Sequence, residues 1–213
     1  LYLSVTALIE FIGGLQMTIS NFTNGFEHDV SIRELAKTET TAGKNFYVGN
    51  RAALLKGEKG ASDNNRGTYL QPFSTLDYAV SQCTAGRGDK IFVNAGYTQT
   101  VSAADAVDFD VAGITVIGLG NGTNRPTFTY SVAAGEIAIG ADNVTVANMI
   151  FNASVTATLI GINIEDGVDY AKVIGCQFGV DADGTDEFNT TIALVNNNTG
   201  CEIVGNIFDA GVG

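Results

Sequence analysis

Apolar and polar residues alternate at period two through the C-terminal half of the chain, and the alternation comes in blocks. Ile137/Ile139 is followed by Val144/Val146, Ile162/Ile164 by Ala171/Val173, and Ile192/Leu194 by Cys201/Ile203. Such alternation puts the apolar side chains on one face of a strand and the polar ones on the other. Every block closes on a phenylalanine, Phe151, Phe178 and Phe208, at intervals of 27 and then 30 residues. Intervals of that length belong to a stacked repeat, a solenoid, and not to one secondary-structure element. The runs are separated by turn formers: Gly140-Ala141-Asp142-Asn143, Asp166-Gly167 and Asn196-Asn197-Asn198-Thr199-Gly200. Asn and Gly tolerate left-handed backbone angles, so these mark corners. No run between them is long and amphipathic enough to be the helix of a βαβ crossover. The units therefore stack directly, each strand pairing with its copies above and below, as in a parallel β-helix.

That stacking predicts internal columns: Val144, Ala171, Cys201; then Val146, Val173, Ile203; then Phe151, Phe178, Phe208. Burial of each such side chain contributes roughly 1.5–3 kcal/mol. Residues 97–134 read as an earlier, less regular unit, with Val107-Asp108-Phe109-Asp110-Val111 alternating and Ile114-Thr115-Val116-Ile117-Gly118 matching the later strands. Ahead of it, Gly88-Asp89-Lys90-Ile91-Phe92-Val93-Asn94-Ala95-Gly96-Tyr97 reads as turn, buried strand, turn. Phe73, Leu76, Ala79, Val80 and Cys83 fall at helical spacing, with Ser74 or Thr75 placed to cap the first turn. A helix there is expected to plug the open end of the stack, since an uncapped solenoid exposes its core and its strand edges.

The rest of the N-terminal part is polar and poorly periodic, with Phe46-Tyr47-Val48 as its one clear strand and 56–67 as an exposed loop. The expected division is 1–16, an upstream leader before a start at Met17; 17–66, an arm or attachment segment; and 67–213, the β-helix. The leader is apolar but too short for the roughly 20 residues of a membrane span, and Glu10 interrupts it. It also lacks the basic start and cleavage site of a signal peptide. Further chain is expected beyond Gly213, because the stack stops just after a strand.

The order Gly67-Thr68-Tyr69, then Pro72-Phe73-Ser74-Thr75-Leu76 with Ala79-Val80, then Gly88 to Tyr97, then strand-turn units resembles the pectate-lyase-like right-handed β-helix superfamily. It looks most like members found as structural or tail proteins of bacteriophages, over about residues 67–208. The resemblance implies an all-β, right-handed parallel β-helix of three sheets, often trimeric in a phage spike. It does not specify activity, since the superfamily holds lyases, hydrolases and non-catalytic virion proteins.

Composition narrows the chemistry. The chain has 213 residues, 26 Gly, only 2 Pro, no Trp and a net charge of −12. Nucleic acid is excluded as a partner, because no basic stripe offsets that charge. Beyond Lys90 the only basic residues are Arg125 and Lys172, so the basic group that lyases of this superfamily use to take a proton has only those two sources. Lys172, with Asp169 nearby, reads as a solvated surface residue. Glycoside hydrolysis needs two carboxylates flanking the bond. Candidates are Asp166 and Asp169, beside Glu165 in one corner, and Asp183 in the next. Asp181, Asp183, Asp186 and Glu187 also offer oxygen ligands to calcium, the one cofactor this inventory admits, though without the spacing of a known calcium loop. In both corners a solvated turn is the plainer reading.

His28 is the only histidine and lies outside the repeats, which excludes a His-centred triad or multi-His zinc site in the body. Cys83, Cys176 and Cys201 lack metal spacing and read as reduced core thiols. The expected function is a bacteriophage virion component, of the tail, fibre or capsid surface. Its β-helix would be a spacer and adhesion surface, contacting other virion proteins and host-surface glycan. The alternative is a glycan-cleaving tailspike or secreted, extracellular polysaccharide hydrolase; if the chain is an enzyme, hydrolysis is expected over lyase chemistry.

Overall fold

The computed structural model describes residues 43–50, 59–156, 158–180 and 186–209. His28, the leader before Met17 and the acids Asp181 and Asp183 lie outside the described residues. Strand β1 (Asn45–Val48) and helix α1 (Leu76–Ser81) come first. Four coils of three strands follow. They are β2 (Lys90–Val93), β3 (Thr98–Val101), β4 (Val107–Asp108); β5 (Thr115–Gly118), β6 (Thr127–Tyr130), β7 (Ile137–Ile139). Next come β8 (Thr145–Ala147), β9 (Ile150–Ala153), β10 (Thr158–Ile164); β11 (Lys172–Ile174), β12 (Gln177–Val180), β13 (Phe188–Leu194). Strands β14 (Glu202–Val204) and β15 (Ile207–Phe208) open a fifth coil.

All strand pairs are parallel and join each coil to the next, giving three sheets: β1-β2-β5-β8-β11-β14, β3-β6-β9-β12-β15 and β4-β7-β10-β13. The chain is a right-handed parallel β-helix, the hand that parallel crossovers between L-residue strands adopt. Strand Asn45–Val48, which the sequence division placed in the arm, pairs with β2 and is the edge strand of the first sheet.

The predicted columns are present in register. Val146 pairs with Val173 and Val173 with Ile203; Phe151 pairs with Phe178 and Phe178 with Phe208. Phe128 extends the aromatic column one coil lower, with successive ring centroids 5.5, 5.0 and 5.5 Å apart from Phe128 to Phe208. In the top coil the inward Ile203 and Phe208 are 41% and 56% exposed, because the described residues supply no coil above them.

The run from Val144 to Phe151 holds two strands, β8 and β9. Asn148 (φ 59°), Gly175 (φ 62°) and Gly205 (φ 66°) stand at one register between the first and second sheets, and each turns the chain through the left-handed region. These are the residue types that reach that conformation at least cost.

Helix α1 buries Leu76, Ala79 and Val80 and packs on β1, β2 and β4 at the first coil, where a cap is needed. Thr75 caps it, its Oγ1 accepting the Tyr78 N–H at 3.4 Å. Asp63 holds the approach by accepting the N–H groups of Ser74 and Thr75 at 2.8 and 3.1 Å. Asp89, wholly buried, accepts from Arg87 and from the Lys44 and Thr84 N–H groups. Burial pushes its carboxyl up, and these donors outweigh that and hold it below the ordinary value. Among the described residues no helix is long and apolar enough to cross a membrane.

Candidate functional site

The corner acids that the sequence singled out are engaged in coil-to-coil hydrogen bonds. Asp169 Oδ1 accepts the Thr199 N–H at 2.8 Å, and the Asp169 N–H donates to Asp142 Oδ1 at 2.9 Å. Asp166 Oδ1 accepts from Asn197 Nδ2 at 2.9 Å. Asp186 accepts from the Thr156 hydroxyl at 3.0 Å. Glu187 borders a depression of about 160 Å³ with Phe178, Phe188 and Phe208. The described members of the proposed calcium set, Asp186 and Glu187, belong to no group of three or more His, Cys, Asp or Glu that could hold a metal, and none occurs among the described residues.

The two basic residues beyond Lys90 are likewise partnered. Lys172 Nζ donates to Glu202 Oε1 at 2.6 Å. Arg125, 8% exposed, donates to the carbonyl of Gly122 at 2.9 Å, to that of Gly175 at 3.3 Å and to Gln177 Oε1; Gln177 in turn donates to Asp209 at 2.6 Å. Cys83, Cys176 and Cys201 are free thiols, Cys176 buried and the others half-buried. Burial, first of several causes, pushes Cys83 up to about 12 and Cys176 to about 11.

A different set of acids comes together on the outer face of the sheet holding β4, β7, β10 and β13. Register places Asp108, Ala138, Asn163 and Ala193 in one outward column. Asp108 Oδ1 and Asn163 Oδ1 are buried and have no hydrogen-bond partner. Gly140 lies beside this column. A Cβ added to Gly140 would sit 2.9 Å from Glu165 Oε2 and 3.4 Å from Asp108 Oδ1, so the two carboxyls face each other across the space that glycine leaves.

Desolvation, then the charges of Asp110, Glu165, Asp105 and Asp77, push Asp108 up to about 6. Asp77 also accepts the Asp108 N–H at 3.3 Å, which ties α1 to β4. Glu136 is raised by burial first and by the hydrogen bond it shares with Asp105, while Asn163 opposes the rise. Asp108, raised by burial and its acidic neighbours, thus faces a second carboxyl across Gly140.

Asp108 was legible only as part of an alternating strand and Glu165 only as a turn acid. Aligning the coils puts Glu165 in step with Gly140 and Asp110, two positions beyond Asp108, so the alignment alone does not pair Glu165 with Asp108.

No family model matches the chain, and no curated protein matches it. Among solved structures it is similar to a rhamnogalacturonan lyase, at 13% identity and a TM-score of 0.39, over 78% of this chain. The chain is a parallel β-solenoid. It spans 58% of the length of that lyase chain, and a likeness at this identity and score carries no chemistry across.

Proposed function

We propose that this chain is a non-catalytic structural module, a stiff β-helical spacer and adhesion surface of the kind that bacteriophage virions display. One observation carries this reading: the described corner acids Asp166, Asp169 and Asp186, with Arg125 and Lys172, all bond from coil to coil. Side chains that stitch one coil to another stabilise the stack and leave few groups for turnover. The acidic surface favours neutral host glycans or other particle proteins as partners over nucleic acid.

A second reading has its own support. Asp108, held at about 6, faces Glu165 across Gly140 at a separation of at most roughly 6 Å, inside the ceiling of roughly 9.5 Å for paired glycosidase carboxyls. Asp108 would then protonate the leaving oxygen, and Glu165 would attack the sugar carbon or activate a water.

A single experiment separates the two. The purified chain is incubated with neutral and acidic polysaccharides, and new reducing ends, unsaturated products and retained protein are all measured. Retention without cleavage is the expected result. Cleavage that disappears in both Asp108→Asn and Glu165→Gln would replace the structural reading with the hydrolytic one.

A further inference from the structure

We propose that Asn121 is a self-modification site: the Gly122 nitrogen attacks the Asn121 side-chain amide, and the isoaspartate that forms weakens the hold of Arg125 on the coils. Residues Leu119 to Pro126 make the corner between β5 and β6, with a single 3-10 turn at Gly122–Asn124. The attack forms a bond from Gly122 N to Asn121 Cγ. The bond from Cγ to Nδ2 breaks, and Nδ2 leaves as ammonia with the Gly122 proton. One water then opens the five-membered imide. Opening at Cγ returns aspartate. Opening at the main-chain carbonyl carbon leaves the chain running through Cβ and Cγ, an isoaspartate with one extra main-chain atom and one new carboxylate. Water is the only other reactant.

Sequence and geometry together select this residue. Among the described residues Asn121 is the one asparagine followed by glycine; the other such pair of the sequence, Asn24-Gly25, lies outside them. Glycine has no Cβ to block the approach of its nitrogen. At Gly122 the space is open, and a Cβ built there would meet no atom within 4 Å. Asn121 and Gly122 are both exposed, and the Asn121 side chain makes no capping bond to the turn that follows. Gly120 (φ 97°) and Gly122 (φ 56°) flank it, so the backbone on either side turns without side-chain clashes. The Asn124 N–H bond to the Asn121 carbonyl, at 3.1 Å, opens as the ring closes. Asn148 and Asn206 are the contrast: each is half-buried, donates its amide to a main-chain carbonyl and precedes a bulky residue, Met149 or Ile207.

The consequence runs through Arg125. Its buried guanidinium donates to the Gly122 carbonyl at 2.9 Å, as well as to the Gly175 carbonyl and Gln177. The extra main-chain atom lies one residue ahead of the Gly122 carbonyl and displaces it, so a buried cation loses one acceptor. A bond of that kind corresponds to a melting shift of about 2–4 °C in a chain of this size.

The test ages the purified full chain at body temperature and mildly alkaline pH for several weeks. Digests taken through that time are read by mass spectrometry, and isoaspartate by enzymatic methylation. A gain of about one dalton on the peptide holding Asn121, with methylation, is expected before any other described asparagine shows it. Relative to its own fresh sample, aged wild type is expected to lose about 2–4 °C more in melting than aged Asn121→Ser, which shares any change at Asn24.

An Asn121 peptide that keeps its mass in the folded protein, while the denatured chain converts, would overturn the proposal. So would earlier conversion of another described asparagine. Conversion that leaves the two aged proteins with equal losses would overturn the link to Arg125.

Discussion

Replacing Asp108 by Asn tests whether the acidic face costs this protein stability at neutral pH. The Asp108 carboxyl is pushed to about 6 from an ordinary 3.8, by burial first and then by four neighbouring carboxylates. The folded state therefore holds this proton more tightly than the unfolded chain. The associated stability is complete below pH 3.8 and is lost as pH rises through 6. A gap of that size corresponds to about 3 kcal/mol if unscreened. Asp108 is partly exposed, and solvent and salt reduce the effect to about 1 kcal/mol.

Asn has the shape of the protonated acid and carries no charge, so it should match wild type at pH 4 and exceed it by about 1 kcal/mol at pH 7.5. The assay is denaturant unfolding of both proteins at several pH values, at low and high salt. Taking the difference between them cancels the acid-side losses from Asp63 and Asp89, whose carboxyls sit below the ordinary value. A difference that stays constant with pH, or a variant weaker than wild type at pH 7.5, would refute the reasoning. A gain that persists undiminished at high salt would argue against charge repulsion as its source.

Two further substitutions probe the stack itself. Phe178→Ala removes the ring between Phe151 and Phe208, and thermal or denaturant unfolding should show a loss of about 3–5 kcal/mol, whereas Phe208→Ala, at the half-exposed end, should cost clearly less. Gly200→Ala places a Cβ 2.5 Å from the Tyr170 ring at a backbone φ of +66°; a lower melting temperature and a loss of about 1–2 kcal/mol are expected, partly recovered when Tyr170→Gly removes the ring.

How much of this could be read from the chain depended on whether a position repeats. Phe151, Phe178 and Phe208 recur at the same point of three successive coils, so their column was legible, as was α1 from the spacing of Leu76, Ala79 and Val80. The bend at Asn148 was harder to read, because the next coils put Gly where it has Asn, and the shared property is a backbone angle and not a side chain. Strand β1 was seen as a strand but not as part of the sheet, since pairing with β2 bridges a long and irregular stretch. The acidic face was hidden for a related reason. Asp108 stands where later coils carry Ala138, Asn163 and Ala193, so its charge does not repeat, and Glu165 reaches it through the gap at Gly140. Turn acids such as Asp166 and Asp169 looked more chemical because they cluster along the chain.

Arg125 bears on how such a stack comes apart. Its guanidinium starts from the second coil and reaches the Gly175 carbonyl and Gln177 in the fourth, passing over the third, and Gln177 hands the link on to Asp209 beyond β15. Solenoids are usually treated as chains of nearest-neighbour couplings, in which a terminal coil can fray while the rest holds. A tie that skips a coil breaks that independence. The third coil cannot swing out while Arg125 bridges its neighbours, so under axial load the upper three coils should yield together, in one large step, and not peel away singly.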